Sequence, residues 1–285
     1  MNYILTAVSV ILGTGKNITS KLGKEYFADI NGCARVNAIT SVIGCIVFML
    51  SFGNWSKSCS AVFFILSFLY GLCTFLSQIF YIKAVKDGPV SVCSLIYSCG
   101  FIIPTVFAAI AFKENVTLLK IVGILLLVLC TFLASYQKEK TDKYNWLIPA
   151  CLAMLSSGTV GVLQKTVRQF YPKWYMDEYL FLAFTFMLII SITAMKLSKP
   201  VYREFNKRYI HILTLFLAVC VVGANKLNLQ LSGIMPGVIF FPAVNGGCLV
   251  LSSVMSMVIF RERFSKVKML GLIGSVVAIV LTSQG

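Results

Sequence analysis

Four basic side chains, Lys16, Arg35, Lys165 and Lys226, sit in stretches that otherwise carry almost no charge. The chemistry open to such a group is narrow. A lone cation in hydrocarbon is very costly, so it must pair with an anion, line a wet cavity, or extend its stem until the ammonium reaches the headgroups. Lys226 is the sharpest case. It lies in "GANKLNLQLSG" (223–233), with Asn225, Asn228 and Gln230 around it and no charge in the connection that follows. The acids offer it no obvious partner: Glu25, Asp29, Asp87, Glu114, Glu139, Asp142, Asp177, Glu178, Glu204 and Glu262 all fall at the ends of apolar segments or between them. The expected reading is that Lys226 faces the carboxylate or phosphate of an anionic or zwitterionic substrate. A snorkelling anchor competes with it, and snorkelling is the expectation for Lys16, Arg35 and Lys165.

The elements that must position these groups follow from composition. Hydrophobic residues make up 58% of 285, charged residues 12%, and the mean hydropathy is +0.87. A soluble chain is about one quarter charged, so a lipid bilayer is the expected environment. Ten apolar segments read as spans: 2–20, 31–52, 60–82, 88–112, 117–136, 145–167, 176–196, 209–231, 236–260 and 265–283. Each is close to the ~20 residues that cross a bilayer as a helix. Runs such as "VGILLLVLCTFL" (122–133) are apolar on every side, which excludes the alternating pattern of barrel strands. The first segment lacks a basic start and a cleavage site and reads as a span, not a signal peptide.

An internal repeat divides the chain. Shifting by 148 residues lays "FKENVTLLKIVG" (112–123) on "FRERFSKVKMLG" (260–271), so that Phe112, Glu114, Lys120 and Gly123 match Phe260, Glu262, Lys268 and Gly271. The expected halves are 1–140 and 141–285, five helices each. Five is odd, so the second copy is inverted, a construction usual in secondary transporters with a site between the halves. The same shift pairs Lys226 with Gln78 and Asn245 with Tyr97. These, with Asn225 and Asn17, complete the candidate lining. Plain packing competes for Tyr97, and a helix–helix hydrogen bond beside Gly246 and Gly247 competes for Asn245. Pro104, Pro236 and Pro242 mark places where helices start or break. Glu114 and Glu262 are expected to serve the N-terminus of the next helix.

The repeated F-[KR]-E motif, its short loop and the glycine that follows resemble the EamA-type transporters of the drug/metabolite transporter superfamily. "GTGKNITSK" (13–21) and "GTVGVLQK" (158–165) are similar to that family's glycine-then-lysine pattern; the tryptophan common before the first glycine is replaced by Leu12. The resemblance implies an all-α polytopic protein of ten transmembrane helices, as two inverted five-helix repeats, moving a small metabolite by alternating access. Its four-helix multidrug relatives use a glutamate in the first helix, which 2–20 lacks, so exchange of protons for cationic drugs is disfavoured. The expectation is a secondary transporter of a small polar metabolite in a bacterial plasma membrane, with an amino acid or related carboxylate preferred and export ahead of uptake. A drug exporter or a lipid-linked sugar flippase is the alternative, and a non-transporting receptor is the alternative of another class.

Several classes are disfavoured. "GTGK" is no phosphate loop: Val10 stands where a glycine is needed and Asn17 where a Ser or Thr is. One histidine, His211, and ten scattered cysteines give no metal spacing, and no cofactor, catalytic constellation or nucleic-acid partner is expected. The net charge of +15 reads as membrane anchoring. Lys and Arg concentrate in the odd-numbered connections, which places those in the cytoplasm and both termini outside; the family resemblance implies cytoplasmic termini. Monomer and homodimer both remain open.

Overall fold

In the computed structural model, residues 2–23, 25–26, 29–51, 60–88, 90–135, 145–198, 207–261 and 265–284 are described. Among them the structure is all-helical. The order is α1 (Asn2–Leu22), α2 (Ile30–Ser51), α3 (Ala61–Asp87), α4 (Val90–Ser98), α5 (Ile102–Ala111), α6 (Leu118–Ser135), α7 (Leu147–Phe170), α8 (Met176–Leu197), α9 (Lys207–Ser232), α10 (Gly237–Phe260) and α11 (Lys266–Gln284). A 3-10 turn, Cys99–Phe101, joins α4 and α5 into one rod, and a second, Lys173–Tyr175, leads into α8. Segment 88–112, expected as one helix, is therefore a rod with an internal break. Pro104 explains it, because it cannot donate to the carbonyl of Gly100.

Among the described residues, eight helices are long and apolar enough to cross a membrane; Leu118–Ala134 is a shorter apolar helix, and α1, which carries Lys16 and Lys21, lies outside that set. The surface is apolar where a soluble protein would be charged: Ile110, Leu118, Leu197 and Val258 are all at least 70% exposed. Much of the interior is small and hydroxylic. Buried Ser67, Thr105, Thr131, Ser191 and Ser275 each donate to a carbonyl one turn back, which lets polar side chains sit between apolar helices with their protons used. Where α8 ends, Asn31 of α2 donates to the carbonyls of Met195 and Ser198 at 3.2 and 3.1 Å, serving groups that have no partner in their own helix.

The short connections make successive rods antiparallel. One end of the bundle, called here the near end, gathers the starts of α1, α3, α6, α8 and α10 and the finishes of α2, α5, α7, α9 and α11. The packing of the rods repeats under exchange of the two halves. α1 lies on α9 as α7 lies on α3; α1 meets α10 as α7 meets α5; α2 meets α9 as α8 meets α3; α6 packs on α11, and α2 on α8.

The α6–α11 contact carries this correspondence down to atoms. A Cβ on Gly271 would fall 2.4 Å from the nitrogen of Ala134 and 2.8 Å from the oxygen of Cys130. One on Gly123 would fall 3.0 Å from the nitrogen of Thr282 and 3.1 Å from the oxygen of Ala278. Thr282 and Ala278 are the 148-residue counterparts of Ala134 and Cys130. The motif's glycine is thus the place where two backbones touch. The preceding residues match as well: Lys113 and Arg261, counterparts in sequence, are the two non-glycine residues of positive φ among those described, at 51° and 53°.

Candidate functional site

The near end is built by residues that lie far apart in sequence. α7 carries the motif "GTVGVLQK", and its glycines work by their size. A Cβ on Gly158 would meet the oxygen of Gly100 at 2.8 Å, and one on Gly161 would meet the ring of Pro104 at 2.7 Å. The motif lets α7 press against the break between α4 and α5. That contact carries Gln164 and Lys165, both buried, into the interior near the end of the rod.

Lys165 is paired. Its Nζ lies 2.8 Å from Glu114 Oε1 and donates to the carbonyl oxygen of Met235 at 3.0 Å. Glu114 comes from the connection between α5 and α6, yet its carboxylate accepts from the amides of Gly237 and Val238, at 2.9 and 3.0 Å, on the first turn of α10. Two expectations are corrected here. Lys165 is no snorkelling anchor, because its side chain is only 8% exposed. Glu114 does serve a helix N-terminus, as expected, but it is that of α10 in the other half and not that of α6, the next helix. Burial pushes the Glu114 carboxyl up, but the lysine and the two amides together outweigh it and hold the group below the ordinary carboxylate value.

Lys226 also has an acid. Its Nζ lies 3.2 Å from Asp177 Oδ1 on the first turn of α8, and 5.9 Å from the centre of the Phe48 ring. The expectation that no carboxylate in the protein reaches it is therefore wrong. Asp177 stands at a helix end, as the sequence indicates, but α9 finishes where α8 starts, so the two ends lie side by side. The pair differs from the first in its exposure: the Lys226 side chain is 39% exposed and that of Asp177 is 23%. It is reachable from outside the protein, whereas Lys165–Glu114 is sealed.

Asn225, next to Lys226, turns inward. Its Nδ2 donates to the carbonyl of Val221, and its Oδ1 accepts from the hydroxyl of Tyr70, which in turn accepts from Gln164 Nε2 at 2.9 Å. One chain of hydrogen bonds thus joins α9, α3 and α7. A turn further along, Ser9 of α1 donates to Asn228 Oδ1 at 2.5 Å. Beside Tyr70 and Asn225 lies a void of about 10 Å³ lined by Gly71, Thr74, Ala183, Phe184, Met187 and Val221. It holds at most about one water, so the polar chain is closed around nothing larger in this conformation. A second cavity, of about 380 Å³, is an open apolar groove between α1, α10 and α11, lined among others by Val10, Ile11, Ile239, Leu251 and Ile279.

The other expected site residues are not gathered here. Gln78 accepts from the thiol of Cys33 at 3.6 Å, and lies eight residues, or roughly 12 Å of helix, beyond Tyr70 on α3. α3 starts at the near end, so Gln78 sits deeper along it, nearer the far end. Tyr97 stacks on Tyr81 with ring centres 5.0 Å apart. Asn245, exposed, donates to the carbonyl of Phe241 of its own helix, the residue directly before Pro242. Asn17 and Arg35 are exposed and Lys16 is half-buried. Glu262 lies outside the described residues. Tyr70, Gln164 and Asp177 are the residues missed. Gln164 had a signal, since the 148-residue shift pairs it with Lys16.

The arrangement offers one cation beside one anion, an aromatic face and a neutral hydrogen-bonding chain, a set suited to holding a small dipolar molecule. Among the described residues there is no group of three or more His, Cys, Asp or Glu side chains that could hold a metal ion.

Comparison with known proteins agrees with this build. A solved crystal structure superposes with a TM-score of 0.73 over 99% of this chain and 96% of its own, at 14% sequence identity. At that identity the likeness is one of fold. No curated protein matches the chain. The model of the EamA-like transporter family matches residues 4–136. The first half of this chain, which holds Glu114, Tyr70 and the first copy of the repeated motif, belongs to the EamA-like transporter family, the resemblance its sequence carries.

Proposed function

We propose that the protein is a secondary transporter of a small zwitterionic metabolite, with an α-amino acid as the best fit, and that the Lys226–Asp177 pair is where the substrate's two charges are read. The observation that carries this is the half-exposed pair standing beside the closed Tyr70–Asn225–Gln164 chain. With one carboxylate already against the lysine, a bare anion would leave Asp177 unpartnered. A zwitterion gives each member of the pair an opposite charge and leaves no ion unmatched, which matters where water is scarce. Ten transmembrane helices in two inverted halves, 1–140 and 141–285, rocking about this site in the plasma membrane, form the mechanism. The exchange symmetry of the rod packing and the paired glycine contacts of α6 and α11 support two related halves. Export is the proposed direction and follows only from the family's habit.

A thermal-shift screen of the purified protein against a metabolite library tests the substrate class. Neutral amino acids should raise the midpoint; at a hundred times the dissociation constant the gain is about 2.7 kcal/mol. Lys226→Ala and Asp177→Asn should each abolish the shift, while Arg35→Ala should keep it. Stabilisation by organic cations alone would contradict the proposal. That outcome would favour the second reading, a drug exporter, for which the 380 Å³ apolar groove between α1, α10 and α11 is the supporting feature.

A further inference from the structure

We propose that Glu114, Lys165 and the first turn of α10 form a releasable latch that holds the near end of the bundle shut. The proposal rests on the reading of two moving halves, and gives that motion a located contact. Glu114 belongs to the first half; Lys165 and α10 belong to the second. A single carboxylate therefore ties the loop between α5 and α6 to two helices of the opposite half, through an ion pair at 2.8 Å and amide bonds at 2.9 and 3.0 Å. Around it the same end is drawn together by further bonds. Lys165 holds Met235, Ser232 donates to the carbonyl of Gln164 at 3.4 Å, and Phe112 meets Phe170 at 6.3 Å between ring centres.

The chemistry suits release better than a purely apolar seal would. A buried ion pair loses hydration on closing and regains it on opening, so its two states lie close in free energy. An apolar contact has no such compensation: opening it to water costs in proportion to area. A helix N-terminus left without its carboxylate is likewise open to water once the end parts. The device is also one-sided. The 148-residue shift pairs Lys165 with Asn17, so the far end has a neutral amide where the near end has a buried cation. With a buried lysine of this kind at the near end and a neutral Asn17 at the matching position of the far end, closure of the near end is the favoured resting state.

Hydrogen exchange followed by mass spectrometry, on the full-length protein in lipid nanodiscs, tests this without any substrate. Glu114→Gln should speed exchange at least tenfold across 165–171 and 233–240, and slow it at the far end, in 84–96 and 190–198. The reciprocal change is the signature of a latch, because opening one end of a two-state bundle closes the other. Glu114→Asp, which keeps the charge on a shorter stem, should fall between the parent and Glu114→Gln, and Lys165→Gln should reproduce the reciprocal pattern. Faster exchange confined to 237–240 would mean a helix cap and nothing more, and would overturn the proposal. So would faster exchange at both ends, which marks general loosening, and so would no change. Since no transport is measured, a protein that moves no metabolite but shows the reciprocal pattern fails as a transporter and keeps its latch.

Discussion

Lys165→Met is expected to be the most damaging single substitution among the charged residues, costing about 3–5 kcal/mol of stability, because it leaves the Glu114 carboxylate buried without its cation. Two amides of α10 would still hold that carboxylate, but the desolvated charge would have lost its counter-ion. The double variant Glu114→Gln/Lys165→Met should recover most of the loss, since it removes both charges together. Midpoints of thermal unfolding in detergent, compared across the four proteins, check this directly. The pH dependence has a definite sign. A carboxyl held below its ordinary value contributes stability above about pH 4.5, and that contribution is lost as the pH falls through the lowered value. The gap between the parent and Glu114→Gln should therefore close in acid. A Lys165→Met protein as stable as its parent would show that the pair bears no strain of packing or charge.

The second large effect is expected at the crossing of α6 and α11. Gly271→Ala places a methyl 2.4 Å from the backbone nitrogen of Ala134, and a backbone, unlike the tip of a side chain, has nowhere to turn. The helices must part, at a cost of roughly 1–3 kcal/mol for such overpacking. Gly123→Ala meets the equivalent atoms of Thr282 and Ala278 and should behave likewise. Gly223→Ala is the contrast, because there the new methyl meets only the Cδ1 of Leu12 at 3.0 Å, which can rotate aside. Detergent-solubilised thermostability should thus separate the motif glycines from Gly223. Equal tolerance at all three positions would mean that the α6–α11 contact is looser than its geometry.

Much of this was legible before the fold was seen, and for identifiable reasons. The all-helical, membrane-spanning character follows from composition and segment length, which the bilayer dictates; of the ten expected spans, eight are long and apolar enough among the described residues, and Leu118–Ala134 is a shorter one. The motif at 112–123 and 260–271 aligns Lys113 with Arg261, and the structure adds that both are left-handed, because a repeated helix end repeats its backbone. Partners were not legible. Asp177 and Glu114 were set aside as helix-end acids, yet helix ends of different rods meet at the near end, and chain position says nothing of that. Gln78 was grouped with Lys226 through the 148-residue shift, but α3 and α9 run in opposite directions, so the matching positions lie at different depths. Tyr70 sits in a largely apolar run that hides its hydroxyl, and Gln164 had only its pairing with Lys16 under the shift; their contact across α3, α7 and α9 is what joins them.

The central claim is that the charged pair at Lys226 reads a zwitterion during transport, and reconstituted counterflow tests it most directly. Proteoliposomes preloaded with an excess of unlabelled neutral amino acid should take up the labelled form transiently and saturably. Lys226→Ala and Asp177→Asn should lose that uptake while keeping their fold. Uptake that is unchanged in both variants, or absent from the parent for every amino acid offered, would contradict it.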